Sequence, residues 1–226
     1  MRNTIIALAA LAMAAPLAAQ QQQAKEKDPT NAVEAVPLPT GWSMRLDDKD
    51  ATKSAKFITM GPGFHVTSGG AAIYWRAADA QKDDYTVSAS FHQTKKIVGH
   101  GDHGEAYGVF AAGRDLSDAS KESYLYLEVR QDGSYYVAHR AGNEVHKLVE
   151  WTPNAAVKKI DDAPNASNEL AIKVAADSVR FVINGTQVNA LPRGAMLGDM
   201  SGQAGVRVNH NLDVHVGTFS VKSGGK

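Results

Sequence analysis

Apolar residues at every second position, cut into short runs by turn-forming pairs, limit this chain more than any other feature. Tyr85, Val87, Ala89 and Phe91 alternate with Thr86, Ser88 and Ser90. Leu125, Leu127 and Val129 alternate with Tyr124, Tyr126, Glu128 and Arg130. Leu170, Ile172 and Val174 repeat the pattern, as do Val179, Phe181 and Ile183. A period of two buries one face of an extended strand and leaves the other face for different work. Asp132-Gly133 and Asn184-Gly185 accept positive φ and read as hairpin turns. The run Val206 to Val221 is too long for one ordinary strand, so a turn or bulge is expected near His210-Asn211. Helical spacing is almost absent; Ala77 to Lys82 and Asp115 to Glu122 each hold at most a short turn. Residues 41–222 therefore predict one all-β domain of about a dozen short antiparallel strands, a two-sheet sandwich or a barrel.

The segment before it is a different kind of sequence. Within residues 1–19, Arg2 is the one charge, Ile5 to Ala15 is apolar, and Leu17-Ala18-Ala19 is followed by Gln20. That is the layout of a secretory signal peptide. The apolar run is too short to span about 30 Å of hydrocarbon, so no transmembrane segment is expected after cleavage. Residues 20–40, with Gln20 to Gln23, mixed charges and Pro29, Pro37 and Pro39, read as a disordered tether. The tail from Ser223 also reads as disordered. Cysteine is absent from the 226 residues, which excludes disulfides, Cys-ligated zinc and thiol catalysis. Export without disulfides fits a bacterial periplasmic or extracellular protein. Lys+Arg and Asp+Glu both number 24, so nothing in the charge favours nucleic acid as a partner.

The order of runs then carries a resemblance. Glu105 to Asp115, Tyr124 to Arg130, Asp132 to Tyr136, Asn168 to Val174, Val179 to Gly185 and Gly205 to Val208 follow one another as in the concanavalin A-like jelly-roll superfamily. Laminin-G-like domains and the bacterial 3-keto-disaccharide hydrolase-type domains share this succession. The resemblance covers about 63–221 and implies the jelly-roll fold and a curved sheet whose concave face meets sugars. The Leu-Phe-Asn-Gly-Lys-Asp-Leu signature usual near the start of the hydrolase-type domains is missing; only Gly41-Trp42 echoes its end.

Motifs of chemistry are sparse. Gly99-His100-Gly101-Asp102-His103-Gly104 matches G-x-G-x-x-G, but a strand-like run follows it where dinucleotide binding needs a helix. His100, Asp102, His103 and Glu105 are donors of the types that hold a transition metal, set in a Gly-rich loop. Asp47, Asp48 and Asp50, and Asn209, His210, Asn211 and Asp213, are oxygen-rich clusters that suit either Ca²⁺ or Asx-stabilised turns. No Gly-x-Ser-x-Gly elbow occurs. Glu122 and Glu128 lie six residues apart on one strand, about 20 Å at roughly 3.3 Å per residue, too far for a glycosidase pair.

The most informative feature is a strand face. Tyr126, Glu128 and Arg130 share one side of their strand, and the hairpin partner brings Tyr136, His139 and Arg140 beside them. Glu105 and His210 are expected to reach the same face from flanking segments. Aromatic rings with Arg and Glu form the mixed lining of a small-molecule site. A one-residue slip of the second strand exchanges Tyr136 and Arg140 for Tyr135 and His139. Three readings stay open: a non-catalytic carbohydrate-binding module, a glycoside-processing hydrolase, and a structural or partner-binding envelope protein.

Overall fold

The computed structural model describes residues 37–47, 55–82, 84–94, 105–160 and 165–224. The signal segment, Asp48, Asp50, His100, Asp102 and His103 lie outside them. In chain order the strands are β1 (Trp42–Leu46), β2 (Ala55–Met60), β3 (Gly63–Ser68), β4 (Ala72–Arg76), β5 (Tyr85–Gln93), β6 (Ala106–Arg114) and β7 (Ser123–Arg130). They continue with β8 (Ser134–Ala141), β9 (Glu144–Pro153), β10 (Ala166–Val174), β11 (Ser178–Ile183), β12 (Thr186–Pro192), β13 (Gln203–Val208) and β14 (Leu212–Ser223). Sheet A has the order β1-β4-β13-β6-β7-β8-β9 and sheet B the order β12-β11-β10-β5-β14-β3-β2. Every strand pairing within both sheets is antiparallel. The expected sandwich is therefore present.

The alternating apolar residues meet between the sheets. Val109, Leu125, Leu127, Val129 and Val206 come from sheet A; Phe57, Val87, Phe91, Ile172 and Phe181 come from sheet B. Burying such a side chain contributes about 1.5–3 kcal/mol. Phe57 stacks on Tyr74 with ring centroids 4.4 Å apart, and Phe91 meets Tyr107 at 4.8 Å. The Tyr107 hydroxyl accepts from Asn168 Nδ2 at 3.0 Å, which satisfies a polar atom in the core.

Turn chemistry accounts for the connections. Asn184 and Gly185 both take positive φ, as a tight I′ hairpin requires. Asn211 has φ +52, and the break between β13 and β14 falls there, at the expected place. Asp115 to Glu122 forms turns without a helix, and Ala77–Asp79 is a single 3₁₀ turn. Contacts are also made on either side of 41–222: Leu38 packs against the core, and the Gly224 N–H donates to Asp84 O at 2.6 Å. Among the described residues no helix is long and apolar enough to cross a membrane.

Candidate functional site

With Leu125, Leu127 and Val129 facing the core, Tyr124, Tyr126, Glu128 and Arg130 occupy the outer face of sheet A. The β7–β8 register sets Glu128 opposite Tyr136 and Tyr124 opposite Arg140. Tyr136, Ala138 and Arg140 therefore share that face. His139 does not. It lies opposite Leu125, on the side of the sheet that faces the core, with Nε2 3.0 Å from Ser123 Oγ. The hairpin explains this correction. Its turn hydrogen bond runs from Gly133 N–H to Arg130 O at 3.1 Å, so Gln131, Asp132 and Gly133 form a three-residue loop with Gly133 at φ +91. A two-residue Asp132-Gly133 turn would have shifted β8 by one residue and brought His139 around.

Two substructures fill the outer face. The first is a ladder of rings: Tyr124–Tyr126 at 5.6 Å, Tyr126–Tyr136 at 5.9 Å, and Tyr136 stacked on Trp151 of β9 at 4.8 Å. The Arg130 guanidinium carbon lies 3.6 Å from the Trp151 centroid, so Trp151 is held between a ring and a cation. Trp151 arrives from a strand that the two-residue alternation did not single out.

The second is a chain of ions. Arg207 on β13, Gly108 on β6 and Glu128 on β7 lie side by side in one row. Gly108 places no side chain on the face, and Arg207 extends over it to bring Nε within 3.2 Å of Glu128 Oε1. Arg207 also donates to the Tyr124 hydroxyl at 2.8 Å and to Asp47 Oδ2 at 3.2 Å. Asp47 is shared with Arg45 at 3.1 Å. Arg45 in turn pairs with Glu122, whose other oxygen lies 3.2 Å from Arg140 Nε. Thus Asp47, Glu122 and Glu128 are interleaved with Arg45, Arg140 and Arg207. Arg130 stands outside this chain: among the described residues no carboxylate lies within ion-pair distance of it, although it acts on the Glu128 carboxyl from farther off. Sequence reading missed Arg207, which alternates between Val206 and Val208 as an outward residue of its strand, and it missed Arg45.

Burial governs the titration of these groups. Glu128 is 3% exposed, and burial raises its carboxyl against the pull of Arg207. Burial likewise raises Glu122, opposed by Arg45. At Asp47 burial also acts upward, but Arg207, Arg45 and Arg140 outweigh it and hold the carboxyl below its usual range. Burial pushes the Tyr124 hydroxyl up to about 12. Glu105 and His210 pair with each other at 2.9 Å, at the start of β6 and just after β13. Ala106 pairs with Arg130, so this couple lies at the Arg130 end of the sheet. The described carboxylates of the two oxygen-rich clusters are both engaged: Asp47 is held by arginines, and Asp213 Oδ1 is 2.7 Å from His65 Nε2.

No family model matches the chain, and no curated protein matches it by sequence. Solved structures do resemble it. The carbohydrate-binding module CBM66 from Bacillus subtilis superposes with a TM-score of 0.58 at 13% identity, covering 83% of this chain and 100% of the module. A Bacillus subtilis protein of unknown function with a galectin-like fold gives 0.59 at 15%, covering 80% of this chain and 89% of that one. The Bacillus licheniformis β-glucanase gives 0.54 at 8%, covering 87% and 96% respectively. Identities this low speak for architecture alone, and the architecture is the concanavalin A-like jelly roll.

Proposed function

We propose that this chain is an exported, non-catalytic carbohydrate-binding module that meets its glycan on the outer face of sheet A. The observation that carries the reading is Arg130, a half-buried guanidinium laid on Trp151 at the end of the ring ladder, with no carboxylate at ion-pair distance among the described residues. Every other guanidinium of the face is neutralised by Asp47, Glu122 or Glu128. Trp151 has Tyr136 on one side and Arg130 on the other, so hydrogen bonding by the guanidinium carries recognition more than free ring faces do. The likeness in fold to a carbohydrate-binding module supports the reading, and residues 1–19 support export. Glycan-array binding followed by calorimetry tests it. Arg130→Ala should weaken affinity by about 1.5–3 kcal/mol, the range for hydrogen bonds to charged groups, while costing stability no more than its contact with Trp151 is worth, about 0.5–1 kcal/mol. Binding to no glycan, or an affinity loss that merely follows a large fall in melting temperature, would overturn it.

One observation favours a hydrolytic reading: burial raises the Glu128 carboxyl above its usual range, the direction a general acid needs. Release of sugar from 3-keto or ordinary glycosides, abolished by Glu128→Gln in a folded variant, would establish that reading in place of ours. Silence in both assays would leave a structural role in the envelope.

A further inference from the structure

The outer face of sheet B carries a different constellation, independent of the face just described. His65 on β3 lies opposite His215 on β14, and His215 lies opposite His92 on β5. Ser167 on β10 continues the same row beside His92. Phe64, Val66, Val214, Val216 and Phe91 face the core, so the three imidazoles all project outward. They line a groove of about 430 Å³ walled by Met60, Pro62 and Thr94.

Hydrogen bonds orient two of the rings. Asp213 holds His65 Nε2 at 2.7 Å. Ser167 Oγ lies 2.7 Å from His92 Nδ1. In the tautomer whose Nδ1 donates to that hydroxyl, the Nε2 lone pair is left for a ligand. This is the outer-shell arrangement that fixes metal-binding histidines. His215 has a buried Nδ1 with no hydrogen-bond partner, which leaves Nε2 as its outward nitrogen.

We infer that the His92–His215 pair is a binding site for a divalent first-row transition-metal ion, with Cu²⁺ held more tightly than Zn²⁺. Imidazole suits these ions, and the order follows their general affinity series. Directly opposed residues of an antiparallel pair have Cβ atoms about 4.5–5.5 Å apart. Two imidazole nitrogens each about 2.0–2.1 Å from one ion can be reached from there by tilting the rings. Among the described residues no three His, Asp or Glu side chains already surround one point. The ion is therefore assigned to two imidazoles, with water completing its shell, and His65 stays with Asp213.

Titration of the full chain with CuCl₂ and ZnCl₂, by calorimetry and by electron paramagnetic resonance for Cu²⁺, tests the site. The expected result is Cu²⁺ held by two imidazole nitrogens and a melting temperature that rises with added metal. Ser167→Ala should weaken Cu²⁺ binding about tenfold by releasing His92, and His92→Ala or His215→Ala should weaken it at least as much. His146→Ala, on sheet A, should leave it unchanged. His92→Gln and His215→Gln keep the side-chain bulk if an alanine variant folds poorly. Absence of a bound ion in the folded wild type, or the same affinity and spectrum in His92→Gln/His215→Gln, would overturn the assignment.

Discussion

Replacing Arg207 by Met should expose how the outer face of sheet A is held. The guanidinium side chain is 8% exposed and reaches Glu128 at 3.2 Å, Asp47 at 3.2 Å and the Tyr124 hydroxyl at 2.8 Å. Methionine fills similar length but leaves Glu128 without its closest cation. Breaking one side of a buried pair costs about 3–5 kcal/mol, because the remaining charge stays desolvated. For a domain of this size about 1 kcal/mol moves the melting temperature by about 2–4 °C, so the expected fall is about 6–20 °C. The pH dependence follows from linkage. Burial already raises Glu128, and losing Arg207 raises it further. A carboxyl whose folded pKa exceeds its unfolded value favours folding below the unfolded pKa and loses that contribution as pH rises. The variant should therefore lie closest to wild type in acid and fall behind toward neutrality. Arg207→Met/Glu128→Leu removes both charges and should recover most of the loss, since Asp47 keeps Arg45. Calorimetry from pH 4 to 8 reads all three proteins. A single variant within about 1 kcal/mol of wild type at pH 7, or a double variant no better than the single, would refute the argument.

Four further outcomes follow from the same packing. A Cβ on Gly108 would fall onto the Leu127 carbonyl oxygen, which belongs to paired backbone and cannot move aside. Gly108→Ala should therefore cost at least about 3 kcal/mol or abolish soluble expression, read from yield and urea midpoint. Asn168→Ala strands the Tyr107 hydroxyl and the Lys158 backbone groups that it bonds, and should cost about 1–3 kcal/mol in the same unfolding assay. Burial pushes Tyr85, Tyr107 and Tyr124 up to about 12, so the stability they contribute is complete below pH 10 and lost as pH rises toward 12. Their ultraviolet ionisation signal should appear together with unfolding, not before it. Trp151→Ala removes the Tyr136 stack and the Arg130 contact, and should lower stability by about 1–2.5 kcal/mol by calorimetry.

Period-two alternation determined the sandwich. It placed Val87, Leu127, Ile172 and Phe181 in one core because burial on one face is a local property of a strand, readable without knowing its neighbours. The same rule put Tyr126, Glu128 and Arg130 on one outer face. It stopped at the next strand. Whether Tyr136 or Tyr135 stood beside Glu128 depended on a hairpin loop of two residues or three, and Gln131-Asp132-Gly133 took three. Partners farther apart were beyond any local rule. Arg207 meets Asp47 across 160 positions, and Arg45 meets Glu122 across 77. His65, His92 and His215 share a row because β14 runs between β3 and β5. Alternation carries no information about strand order, since any pairing of amphipathic strands buries the same faces. Only the strand order and register of sheet A decided which charges stand side by side on its outer face.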